Sequence, residues 1–304
     1  MRSSRRKFLK SGALAVAGAT MIPRQVWASS SQKVVLGIQL YSVREAMSKD
    51  PAGTLEKLAE MGYKTVEHAN YVRGKFYGYE PKEFKKLLSD LGLTMPTGHT
   101  VLRKEHWDAQ RKDFTDEWKK LVEDAAYMGQ KYVISPSLEQ SLRETRSDLI
   151  AYMDIFNQCG ELCQEYGMKF GYHNHDFEFY TKLDGEVMYD IILDNTDPNL
   201  VTQQMDIGNM YGAGGRALEI LGRYPGRFEL LHVKDEIESE TGPMSGYEST
   251  VLGKGVIPVK DILDTFKEKG GTIYYVVEQE AYQGKDPLQC MKENYDQMKA
   301  WGYS

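Results

Sequence analysis

From Lys33 onward the chain alternates two hydrophobic patterns. Short runs dense in β-branched and aliphatic residues, as in strands buried on both faces, are followed by longer stretches in which apolar residues recur every three or four positions, as on one face of a helix. The runs "VVLGIQLY" (34–41), "YKTVEH" (63–68), "LTMPTGH" (93–99), "KYVIS" (131–135), "MKFGYHNH" (168–175), "LVTQQMDIG" (200–208), "FELLHVKD" (228–235) and "TIYYVVEQE" (272–280) predict eight strands. Between them, "PAGTLEKLAEMG" (51–62), "PKEFKKLLSDLG" (81–92) and "DEWKKLVEDAAYMG" (116–129) predict helices. Each closes on a glycine, which accepts the left-handed conformation that ends a helix, and the first two open on a proline, where no N–H is needed.

Eight strand-then-helix repeats without a linker predict an α/β fold, a (β/α)8 TIM barrel, as one catalytic domain over residues 33–304. A doubly wound open sheet is the alternative. It would carry a Gly-rich nucleotide loop after its first strand, and "LYSVREA" (40–46) has none.

Residues 1–28 follow neither pattern. "SRRKFLK" (4–10) precedes a weakly apolar run, "SGALAVAGATMIP" (11–23), and then "VWA" (26–28). A basic segment, a short apolar run and a small-residue cleavage site predict an export signal, too short and too small in its side chains to be a stable membrane anchor. The paired arginines resemble the twin-arginine signal of bacteria, which implies export in folded form to the periplasm. Cleavage after Ala28 is not fixed by the sequence.

With 41% hydrophobic and 27% charged residues the chain can bury a sizeable core. Six of its 38 Lys and Arg precede residue 29, so 32 basic groups face 44 acidic ones in the remainder, a formal charge of −12. That balance disfavours a nucleic-acid partner and suits a neutral or cation-assisted small molecule. Cys159, Cys163 and Cys290 are odd in number, and the first two lie four apart on a helical pattern, so buried thiols are expected rather than disulfides. The oligomeric state is left open.

In a barrel of this kind the catalytic groups come from the C-terminal ends of the strands. Those ends carry Gln39 and Tyr41, Glu67 and His68, His99, Ser135, His173 and His175, Asp206 and Asn209, His232 with Lys234 and Asp235, and Glu278 with Glu280. Five of the six histidines fall there, where scatter would be the rule for core residues. His68 alternates to the opposite face from Glu67 and is expected to be structural. Glu280 is expected to be a solvated loop carboxylate. Lys234 fits either a substrate contact or acid, or an ion pair with Asp235 or Glu278. "GAGGR" (212–216) lacks phosphate-loop spacing and reads as a flexible loop.

"GYHNHDFEF" (171–179), "MDIGN" (205–209), "HVKD" (232–235) and "YYVVEQE" (274–280), with the opening "GIQLYSVRE" (37–45), resemble the sugar phosphate isomerase/epimerase family with the xylose-isomerase-like TIM barrel. The resemblance covers nearly all of the chain after residue 28. It implies one divalent metal held by a residue from each of strands five to eight, commonly glutamate, aspartate, histidine and glutamate. Carried over motif by motif, these are His173, Asp206, His232 and Glu278. His173 departs from the pattern and is closer to relatives resembling inosose dehydratase. Two imidazoles and two carboxylates favour Mn, Co, Fe or Zn over the all-oxygen sites of Ca and Mg.

The resemblance further implies enolisation of a keto or aldo sugar, with Glu278, His173 and Lys234 as catalytic groups. Glu67, His99, His175, Gln39 and Tyr41 are then the substrate contacts, and "LGKGV" (252–256) a loop beside the site. A sugar isomerase/epimerase is the leading expectation, and a lyase performing β-elimination on a 3-keto-glycoside or keto-sugar is the alternative. A sugar-binding module without turnover is the alternative from another class.

Overall fold

The computed structural model describes residues 33–304, so the predicted export signal lies outside the described residues. All eight predicted runs are strands: β1 (Val35–Gln39), β2 (Thr65–His68), β3 (Thr94–His99), β4 (Tyr132–Ser135), β5 (Lys169–His173), β6 (Val201–Asp206), β7 (Leu230–Val233) and β8 (Tyr274–Val277). They are parallel and pair in sequence order, and β8 pairs with β1, so the sheet closes into a barrel and the open-sheet alternative is ruled out. Closure leaves no strand edge exposed.

Each strand is followed by a helix: α1 (Pro51–Met61), α2 (Pro81–Asp90), α3 (Asp116–Met128), α4 (Arg146–Glu165), α5 (Met188–Asp194), α6 (Ala217–Arg223), α7 (Val259–Thr265) and α8 (Pro287–Ala300). The expected punctuation is in place. Pro51 and Pro81 open α1 and α2, and Gly62 and Gly129 end α1 and α3 at φ 114° and 89°. Cys159, Cys163 and Cys290 are buried free thiols. Among the described residues no helix is long and apolar enough to cross a membrane.

Five strands stop two or three residues before the hydrophobic run does, and the cause is visible at two of them. The Gln39 side chain accepts from Tyr41 N at 3.1 Å, and Asp206 Oδ1 accepts from Gly208 N and Asn209 N at 2.8 Å each. A side chain that captures the next N–H groups takes them out of the ladder and turns the chain outward.

Strand alternation decides what faces the barrel interior. Tyr172 packs outward on Phe156 of α4, with ring centroids 5.9 Å apart, so Gly171 and His173 face inward. Met205, Leu231, Val233, Tyr275 and Val277 likewise join the outer core, which turns Asp206, His232 and Glu278 inward. The floor of the interior is a separate apolar cluster of Tyr132, Ile134 and Leu230 packed against Tyr274. A Cβ on Gly171 would lie 2.5 Å from Ile134 Cδ1, so the glycine makes room for that floor. Above it the interior becomes polar.

Four short hairpins in the loops were not read from the sequence. Two of them, Tyr71–Val72 with Lys75–Phe76 and Asp235–Glu238 with Tyr247–Thr250, border the site. Their arms span two to four residues, too short to show a period of two.

Candidate metal centre

The four inward residues expected to be ligands converge. His173, Asp206, His232 and Glu278 each offer one ligand atom, and these atoms all lie within 4.8 Å of one another. The register places Asp206 beside His232 and Gln204 beside His173, so neighbouring strands deliver the side chains at one height. His232 Nδ1 is 3.0 Å from Glu278 Oε2 and 3.8 Å from Asp206 Oδ2, and His173 Nε2 is 4.0 Å from the same Asp206 oxygen. Ligands about 2.1 Å from a tetrahedral ion stand about 3.4 Å apart, so the set can close on one cation with small side-chain adjustments. Asp206 Oδ2 is buried and makes no well-aligned hydrogen bond, its nearest cation being the Lys234 ammonium at 3.1 Å, while Oδ1 is held by two backbone N–H groups. A carboxylate oxygen so placed, aimed at two imidazoles and beside a second carboxylate, fits a metal.

Asn174, between the two histidines, is what fixes Asp206. Its Oδ1 accepts from Asp206 N at 3.0 Å and its Nδ2 donates to Asp206 O at 3.1 Å, joining β5 to β6 beyond the ladder. Nothing in the sequence reading assigned it a role. A polar residue at the end of a buried strand was the available signal.

Glu67 and Gln39, expected to contact substrate, lie beneath the cluster instead, both wholly buried. Glu67 Oε1 accepts from Gln39 Nε2 at 2.6 Å and faces His232 Nε2 at 2.6 Å, while Oε2 accepts from Thr97 Oγ1 at 2.8 Å and Gln204 Nε2 at 2.7 Å. The carboxylate holds His232 Nε2–H and leaves Nδ1 for a cation, the carboxylate–histidine–metal arrangement that orients a ligand ring. Neither residue lines the cavity, and both support the centre from beneath it.

Lys234 makes the ion pair with Glu278 that was one of its two expected roles. It is wholly buried, and its ammonium lies 3.1 Å from Asp206 Oδ2, 3.0 Å from Glu278 Oε2 and 2.8 Å from Glu280 Oε2, with Asn209 Oδ1 at 2.9 Å. It is held by three carboxylates and does not line the cavity. Glu280 is an ion-pair partner whose side chain stays 32% exposed, so it is only in part the solvated carboxylate expected. Asp235 turns away from Lys234 and accepts from Gly253 N and Gly255 N at 2.9 Å each, fixing the 252–256 loop. A Cβ on Gly255 would lie 2.2 Å from Asp235 Oδ1, so this close approach requires glycine.

The charge count favours a cation. Glu67, Asp206, Glu278 and Glu280 oppose Lys234 and the protonated His232, a deficit of two charges that a divalent ion, displacing the His232 proton, reduces to one. Burial opposes the charge on Glu67, yet His99 and His232 hold it well below the usual carboxylate range. Glu278 is lowered against burial in the same way by Lys234 and His232. Burial pushes Asp206 up in spite of Lys234. His173 and His175 are lowered chiefly by burial, so both rings are uncharged at neutral pH. For His232 burial would lower the pKa, but Glu67 and Glu278 raise it to about 10.

That shift has a testable sign. In the metal-free protein the His232 proton contributes stability that is fully present below pH about 6.5 and lost as pH rises through about 10. A cation at Nδ1 must displace that proton. Metal binding at pH 7 is expected to release about one proton per ion, and the apparent affinity to rise about tenfold per pH unit between pH 6 and 8. Calorimetry in two buffers of different ionisation enthalpy measures the release. No release would show that His232 is not a ligand.

A cavity of about 750 Å³ opens above the centre, lined there by Tyr41, His99, His173, His175, Glu278 and Glu280. His99 Nε2 faces Gln204 Oε1 at 2.6 Å and Glu67 Oε1 at 3.0 Å, so it carries the proton on that nitrogen. His175 is held through its backbone N–H by Glu178, which also accepts from Tyr172 Oη. His68 packs edge-on against Phe76 at 4.9 Å, away from the cavity. "GAGGR" is a loop with Gly214 at φ 85°, between a single helical turn and α6.

A closed parallel barrel with its polar cluster at the carboxyl ends of strands five to eight defines a (β/α)8 barrel with one site at its mouth. The chain belongs to the xylose isomerase-like TIM barrel family, whose profile matches residues 55–301. It is similar to a sugar phosphate isomerase/epimerase from Parabacteroides distasonis, at 26% identity and TM-score 0.76 over 90% of this chain and 96% of that one. Among curated proteins it is similar to an inosose dehydratase of Geobacillus kaustophilus, 25% identical over 80% of this chain and 83% of the other. A zinc-bound IolI protein shares the fold, with TM-score 0.69 at 14% identity over 88% of this chain and 98% of that one.

Proposed function

We propose that the protein is a divalent-metal-dependent enzyme that enolises a keto or aldo sugar, and that it works after export. The observation that supports this reading is the convergence of His173, Asp206, His232 and Glu278 at the closed end of a cavity that Glu278 itself lines. The donor set suits Mn, Co, Fe or Zn. Such an ion, when bound, supplies Lewis-acid polarisation of the substrate carbonyl.

The chain's own residues supply the proton chemistry. Glu278 Oε2 is engaged by His232 and Lys234, while Oε1 bonds to no described residue. An ionised carboxylate so placed removes a proton from the carbon beside the carbonyl, and the C–H electron pair moves into the enolate. His173 at the end of β5, His175 in the loop just beyond it and His99 on β3 stand across the barrel mouth from β8. A proton returned to carbon gives an isomer or epimer. Elimination is the second reading, favoured by the likeness to inosose dehydratase and by a histidine where a second carboxylate base is common. There the enolate electron pair expels an oxygen substituent at the next carbon, which leaves with a proton as water or an alcohol.

Incubation of the metal-loaded protein with keto sugars in D2O, followed by NMR, tests the proposal. Deuterium is expected at the carbon beside the carbonyl, or an unsaturated ketone as product. Glu278→Gln is expected to slow either by about 10²- to 10⁴-fold. Neither exchange nor product across a panel of keto and aldo sugars would remove enolisation as the function.

A further inference from the structure

The cavity is much larger than the ring that would react in it. At about 750 Å³ it lies toward the upper end of the roughly 300–1,000 Å³ range of ligand pockets that enclose drug-sized molecules, whereas a hexose has only about twelve non-hydrogen atoms. The surplus space runs sideways from the barrel mouth, between the loops that follow β2 and β3. One wall is the tip of the 71–76 hairpin, and the other is the short helical turn Lys104–His106 with the first turns of α3.

The lining of this arm has a definite chemistry. Arg73 and Arg103 face it with one sign of charge and Glu105 and Glu117 with the other, and among the described residues none of the four makes an ion pair, while the third cation of the lining, Lys120, is paired with Asp124 of its own helix. Two unpaired cations and two unpaired carboxylates disfavour a strongly charged occupant and offer both donors and acceptors, which hydroxyl groups use simultaneously. Apolar and aromatic surface lies between them: Val72 at the hairpin tip is 57% exposed, and the half-buried His106 ring presents its outer face while its inner face covers the wholly buried Trp118, with ring centroids 4.8 Å apart. A hydroxylated ring, with a C–H face and an O–H rim, matches that mixture.

We propose that the arm is a second subsite and that the substrate is a glycoside, whose second, uncharged, hydroxylated ring is joined through a glycosidic oxygen to the sugar at the metal centre. The identity of the reacting end rests on the enolisation reading. The existence of the arm subsite does not.

Unoxidised glycosides test it without turnover. Calorimetry on the Mn-loaded protein compares methyl α- and β-glucosides with maltose and cellobiose. At least one disaccharide is expected to bind about tenfold more tightly than the methyl glucoside of the same anomeric configuration. In the double variant Arg103→Ala/Glu117→Ala, both sites being exposed, that ratio is expected to fall to about one with an unchanged melting temperature. Equal affinities in the wild type, no binding of either disaccharide, or a preference that survives the double substitution would overturn the subsite. A failure of deuterium exchange alongside retained disaccharide preference would sink the enolisation reading and leave the subsite standing.

Discussion

Asp206→Ala is expected to abolish stoichiometric metal content and, with it, activity. A structural four-ligand zinc site is worth roughly 12 kcal/mol, so one ligand carries about 3 kcal/mol, or about two orders of magnitude in affinity. The loss is larger than that share because Asp206 does two things. Its Oδ2 faces the two imidazoles beside the Lys234 ammonium, and its Oδ1 ties Gly208 N and Asn209 N, which turn the chain out of β6. Elemental analysis of purified wild type and variant, each after incubation with Mn, Co, Fe or Zn and gel filtration, reads the outcome. Near-stoichiometric metal in wild type that disappears in the variant is the expected result. Metal retained in Asp206→Ala would show that the ion sits elsewhere, and a wild type that binds none of the four ions would overturn the metal mechanism. The variant is expected to remain folded, because Lys234 keeps Glu278 and Glu280 as partners when Asp206, one of its three carboxylates, is removed.

Glu67 separates positioning from substrate contact. In Glu67→Ala the amides of Gln39 and Gln204 and the hydroxyl of Thr97 lose their shared acceptor in a wholly buried space. The expected destabilisation is about 3–5 kcal/mol, as for one partner removed from a buried charged network. At roughly 2 °C per kcal/mol for a chain of this size, that lowers Tm by about 6–10 °C. Glu67→Gln keeps the volume but turns one acceptor into a donor facing other donors, and it withdraws the charge that holds His232. Metal affinity is expected to fall about 10- to 100-fold, with kcat falling at saturating substrate. A substrate contact would behave otherwise. It would raise KM and leave Tm and metal affinity unchanged, and that pattern would return Glu67 to the cavity wall.

The sequence by itself determined the barrel, because parallel strands buried on both faces read as short runs rich in β-branched and aliphatic residues, and it placed polar residues at the ends of those runs. Among these ends, His173, Asp206, His232 and Glu278 were singled out by the resemblance of the motifs around them, not by the pattern itself. Helix ends were equally readable, because Pro51 and Gly62 act through their own backbone geometry and need no distant partner. Roles were less legible than places. Gln39, Glu67 and Lys234 sit at strand ends just as the ligands do, and only closure of the barrel decided that they face carboxylates and imidazoles from strands far apart in sequence. Glu67 meets His232 across 165 positions, a distance no local pattern records. The depth of a side chain within the barrel depends on strand register and shear, which are set by packing over the Tyr132, Ile134 and Leu230 floor. Tertiary structure therefore decided which polar residues meet substrate and which hold the residues that do.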